Sequence, residues 1–92
     1  MSTNYLEGDR ALERLGDLTE LICRVAEGNG LDRGSSVMLE YLLGEMGGAL
    51  RERDVERAKS LVTRLLCDVL GYDIVRAKFV MSNHLNKNAG WE

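Results

Sequence analysis

No proline interrupts this chain of 92 residues, and that absence constrains its fold more than any other feature. Proline is the commonest breaker of a helix interior, because it lacks an N–H and its ring clashes with the preceding turn. Residues that favour sheets are scarce too: aromatic side chains make up 5% of the chain, and β-branched ones are few. Apolar residues recur instead at three- and four-residue spacing, the period of a helix buried on one face. The expected fold is all-α: one helical domain, a compact bundle of about four helices with short loops, with residues 1–8 and 87–92 as tails.

The first helix is expected from about Asp9, as its cap, to about Glu27. Leu12, Leu15, Leu18, Ile22, Val25 and Ala26 form its apolar stripe, and Arg10, Glu13, Asp17, Glu20, Arg24 and Glu27 its charged side. Gly28-Asn29-Gly30 then offers the left-handed conformations that stop a helix. The second is expected over 36–51, capped by Ser35 or Ser36. A short link, Arg51-Glu52-Arg53, leads to Asp54, the cap of a third helix running to about Leu70 before Gly71. Its inward residues are Val55, Ala58, Leu61, Val62, Leu65, Leu66, Val69 and Leu70. The fourth starts after Asp73 and reaches Leu85 or Asn86, with Ile74, Ala77, Val80, Met81 and Leu85 facing the core.

The second helix is unusual in having two uncharged faces. Met38, Leu39, Leu42, Leu43, Met46, Ala49 and Leu50 make a broad apolar side, while Val37, Tyr41, Gly44 and Gly48 recur on the opposite one. A surface helix normally opposes its apolar stripe with charge. This one is therefore expected to be either the centre of the bundle or half of an interface. Gly44 and Gly48 form a GxxxG, and each glycine costs up to about 1 kcal/mol inside a helix, an expense that close approach of another backbone would offset. The alternative is that the helix ends early, near Gly47-Gly48.

The segment Ala49-Leu50-Arg51-Glu52-Arg53-Asp54-Val55-Glu56-Arg57-Ala58 resembles the helix–turn–helix of tetratricopeptide-type repeats. The resemblance covers a single hairpin and implies antiparallel neighbours across a tight link. It implies no repeat array, which needs three or more units of about 34 residues.

The net charge of −3 is divided unevenly: residues 1–50 hold four basic and nine acidic side chains (−5), and residues 51–92 eight and six (+2). Such asymmetry orients a partner or a second copy. It is too small for a nucleic-acid surface. Two cysteines, Cys23 and Cys67, are too few for a disulfide framework. No stretch approaches the ~18 apolar residues of a membrane span, and no signal peptide is visible, so a cytoplasmic protein away from membranes is expected.

Catalytic and metal chemistry find little support, and no cofactor is expected. His84, the lone histidine, has Met81 and Val80 at the positions where a bundle metal site carries glutamate. A charged imidazole there would interact favourably with the helix C-terminus. Cys23 lies at the edge of a core stripe, whereas Cys67 lines up with Ser60 and Thr63 on a narrow face of small residues. Either another helix packs closely on that face, or Cys67 stands at an interface. A phosphate loop at Gly28–Gly34 fails because a helix, not a strand, precedes it. A calcium loop begun at Glu27 would place Leu31 and Met38 where ligands belong.

Val75 and Phe79 sit off the core stripe of the fourth helix, beside a polar line of Arg76, Asn83 and Lys87. Trp91 is an apolar residue in an otherwise polar tail. The expected function is a non-enzymatic interaction module: a small adaptor, inhibitor or regulatory subunit, such as a phage or mobile-element inhibitor of a bacterial defence system like CRISPR. Its expected contact residues are Val37, Tyr41, Gly44, Gly48, Val75, Phe79, Cys67 and Trp91, set against a protein partner or a second copy in a homodimer. The alternative is a DNA-binding regulator using Arg76, Asn83 and Lys87, against which the chain's acidity counts. A small enzyme is the third reading, without a convergent acid, base and nucleophile to support it.

Overall fold

A computed structural model describes residues 8–85, with Gly8 and Asp9 as backbone only. Four α-helices follow one another: α1 (Gly8–Asn29), α2 (Arg33–Arg51), α3 (Val55–Arg64) and α4 (Ile74–Leu85). α3 continues into a π-helical turn at Leu65–Val69, and no strand occurs among the described residues. The fold is the expected all-α bundle.

α1 and α3 pack on each other, and α2 and α4 each pack on both, yet α2 and α4 share no contact among the described residues. A packed helix pair has two grooves, one on each side. α2 and α4 therefore occupy opposite grooves of the α1–α3 pair. The centre of the bundle is that pair and not α2, which removes the first of the two expectations for the second helix. The core is built where the four inward stripes meet. Leu15, Leu42, Met46, Val62, Leu65 and Leu66 are its largest fully buried side chains. Each such side chain contributes about 1.5–3 kcal/mol through removal from water. Thr19 is buried among them because its hydroxyl donates to the Leu15 carbonyl oxygen at 2.8 Å.

The helix ends correct several boundaries. α2 begins a turn earlier than expected: its N-cap is Asp32, whose carboxylate accepts from the Ser35 amide at 2.7 Å. Ser35 and Ser36 are helical, and the Ser36 N–H already bonds the Asp32 carbonyl oxygen. A carboxylate caps as well as a hydroxyl, so the first competent residue took the role. Asp9 likewise lies inside α1, which is already helical at Gly8. α2 continues past Gly47-Gly48 to Arg51, so the early-ending alternative fails.

The α2–α3 corner is tight, as the hairpin resemblance implies. Arg53 turns left-handed at φ 57°, Asp54 N–H bonds Ala49 O, and Arg53 N–H bonds Leu50 O. These two bonds are those of a Schellman stop, with an arginine where glycine is usual. Asp54 then starts α3, its carboxylate accepting from the Arg57 amide at 3.1 Å. The Arg57 guanidinium returns to α2, pairing with Glu45 and, at 3.9 Å, with Glu52.

The third helix is not one α-helix to Leu70. At Leu65 it widens, with Leu70 N–H bonding Leu65 O, and Tyr72 N–H reaches back to Leu66 O across Gly71, which turns at φ 81°. Two residues assigned to core stripes are about half exposed: Val25 near the end of α1 and Ile74 at the start of α4. Each sits in a terminal turn, where fewer neighbours remain to cover it.

Candidate interaction surfaces

α2's outer face is built by its inner one. Leu39, Leu42, Met46 and Ala49 are buried, which turns Val37 and Tyr41 outward, 62% and 56% exposed. Gly44 is exposed and Gly48 half-buried, and a Cβ built on either meets nothing within 4 Å. No described part of the chain closes over these glycines. The intramolecular close approach that would explain them is absent among the described residues. These four residues form an uncharged strip about three turns long, bordered by exposed Glu40 one turn from Gly44.

α4 carries the second outer face. Ala77 is its one buried residue, and Val75 and Phe79 stand opposite at 74% and 66% exposed. The helix is capped by Asp73, which accepts from the Arg76 amide at 2.8 Å. Arg76 lies over the Tyr72 ring, 4.6 Å from its centroid. Asn83 is exposed, but Lys87 and Trp91 lie outside the described residues. Because α2 and α4 sit in opposite grooves, their outer faces point apart. They make two surfaces, not one.

Cys67 is half-buried and packs against the core. α4 packs on α3 beside it: the Thr63 hydroxyl, which donates to Lys59 O, also lies 3.7 Å from Met81 Sδ. α4 thus meets the narrow face of small residues at Thr63, while Ser60 stays exposed. Cys23 is half-buried as well, and burial pushes its thiol pKa up, reinforced by the charges of Glu27 and Glu20. That is the reverse of what an activated nucleophile uses.

His84 packs toward α1. Burial, then the Arg14 charge, lowers its pKa below the ordinary value against smaller opposing effects from Asp17 and an Arg14 backbone hydrogen bond. The charged imidazole is therefore disfavoured at this helix end, chiefly by desolvation. Among the described residues no three His, Cys, Asp or Glu side chains group to hold a metal, and no helix is long and apolar enough to cross a membrane.

Sequence reasoning missed a groove between α1 and α2, floored by Leu31, Leu39 and Leu43 and edged by Glu27 and Glu40. A second groove, between α3 and α4, is edged by Lys59, Arg64 and Lys78 over Met81. A helical wheel reads one helix at a time, so features formed by two helices stay out of its reach. The uneven charge of the two chain halves was the available signal. No family model, curated protein or solved structure matches this chain.

Proposed function

We propose that this chain is a non-enzymatic protein-binding module, a small adaptor, inhibitor or regulatory subunit that docks a partner protein on the outer face of α2. One observation carries the reading: exposed Val37, Tyr41 and Gly44 and half-buried Gly48 form an uncharged strip that nothing in the described chain closes over. Tyrosine suits such a place, bringing apolar area with a polar tip. Glycines let a partner backbone come close. Phage and mobile-element inhibitors of bacterial defence systems such as CRISPR are the class in which we place a small acidic helical protein of this design. The cytoplasm is the compartment that keeps its two thiols reduced.

Gly44→Leu tests the reading. Space is open at this position, and leucine favours a helix over glycine by up to about 1 kcal/mol. The variant should keep its helicity and melt no lower than wild type, while a partner captured from the native host by the wild-type chain is lost. Capture that persists with leucine at 44 removes α2's outer face from the function. Capture of DNA in place of protein, released steeply by salt, would support the regulator reading instead.

A further inference from the structure

We propose that this chain also assembles head to tail, the outer ridge of α4 in one copy seating in the α1–α2 groove of the next. Val75 and Phe79 are one turn apart and are two of the most exposed large apolar side chains described. Arg76 and Lys78 flank them: at 100° per residue each cation lies roughly 80° from the ridge line, one on either side. Arg76 is steadied on its flank by the Tyr72 ring, and Lys78 leans toward the α3–α4 groove. The ridge is thus a two-residue apolar knob between two positive charges.

The α1–α2 groove is its counterpart. Half-buried Leu31 of the turn, half-buried Leu43 and buried Leu39 give it an apolar lining, which Glu27 of α1 and Ser36 and Glu40 of α2 complete. A helix ridge laid in such a groove buries its apolar knob and brings each cation to a carboxylate. The occupant is a second copy because ridge and groove match in polarity and in opposite paired charge. The division of charge along the chain, −5 against +2, favours that orientation at longer range. A chain cannot seat its own ridge, since α4 and α2 lie on opposite sides of the α1–α3 pair. The contact is therefore heterologous: copies add in one direction until a ring closes or a filament grows. This surface does not use Val37, Tyr41, Gly44 or Gly48, although its Glu40 borders the partner face, one turn from Gly44.

Phe79→Glu spoils the ridge and leaves the groove, whereas Glu27→Lys with Glu40→Lys reverses the groove and leaves the ridge. All three positions are exposed, so the fold should survive, as circular dichroism checks. Val75→Lys serves as a second ridge variant. In sedimentation velocity the wild-type mass should rise with concentration. Each variant alone should stay monomeric, with association weakened roughly thirtyfold or more. Mixed in equal amounts, Phe79→Glu and the groove variant should form a 1:1 heterodimer and stop there, because only one productive ridge–groove pair remains. A wild-type monomer at every concentration overturns the proposal, as does a ridge or groove variant that assembles like wild type, or a mixture that does not associate. Phe79→Glu lies on α4, away from α2's outer face, and should leave partner capture unchanged, so failure here and failure of the α2 partner face are read separately.

Discussion

α2 and α4 answer the same structural demand with different strength. Both lie in a groove of the α1–α3 pair, and both turn an apolar face outward. α2 is held by four buried side chains, an aspartate cap, a Schellman stop and the Glu45–Arg57 pair. α4 is held by one buried alanine and by the half-buried Val80, Met81, His84 and Leu85. Its hold on the bundle is correspondingly smaller. The contrast teaches that an exposed apolar face can be carried on a rigid support or on a loosely attached one. A docking face on α2 is preorganised, while one on α4 gains order when it is covered.

The contrast breaks or sharpens most clearly by truncation. Leu42→Ala removes a fully buried side chain from α2's inner face and should cost about 3 kcal/mol, lowering Tm by about 15 °C. Met81→Ala on half-buried α4 should cost about 1–1.5 kcal/mol. Thermal melts of the two variants check the ratio. Equal losses would mean that α4 is anchored as firmly as α2. Native-state hydrogen exchange adds an independent measure: α4 amides should exchange faster than those of α2.

A smaller gain is expected at the α2–α3 corner. Arg53→Gly relieves a left-handed residue, worth about 1–2 kcal/mol, and gives part of that back in unfolded-chain entropy. A rise in Tm of about 2–4 °C is the expected outcome. A fall would show that the arginine side chain contributes more there than its backbone costs.

The smallest effect is one of pH and concerns α4. The folded-state pKa of His84 lies below its unfolded value, so the folded chain prefers the neutral ring. Above about pH 6.5 both states are neutral and His84 is silent. As pH falls from there through the folded pKa, the unfolded chain takes up the proton first and stability is lost. Between about pH 7.5 and 5.5, wild-type Tm should therefore drop more than that of His84→Gln. Identical drops would assign the acid sensitivity to carboxylates.

The four helices and most of their inward stripes were legible in the sequence, because apolar spacing reports which side of a helix is buried. Leu12, Leu15, Leu39, Leu42, Val62 and Leu65 fall where the spacing puts them. Spacing does not report how many neighbours a helix has. The two-faced pattern of α2 fits a central helix and an edge helix equally, and the absence of contact with α4 among the described residues decides between them. The π turn was hidden for a related reason: Leu65, Leu66, Val69 and Leu70 keep an apolar side toward the core whether the turn holds α or π bonds. The Asp32 cap and the grooves depend on atoms brought together by the fold. The exposure of Val37, Tyr41, Val75 and Phe79 was legible from their position off the stripes, and the placing of Glu27 and Glu40 at one groove was not.

Asp54 serves as the last residue of one helix stop and the first cap of the next helix, so α2 and α3 share a single joint. The joint also sets the order of assembly. Closing so short a loop costs little chain entropy, and the contacts it brings together are near in sequence. The α2–α3 hairpin can therefore form on its own timescale as a nucleus on which α1 condenses, while α4 arrives last. During that interval the Ser60–Thr63–Cys67 face stands open to solvent. A chaperone or a second nascent chain would find the molecule most vulnerable there, at a surface that the finished bundle covers in part.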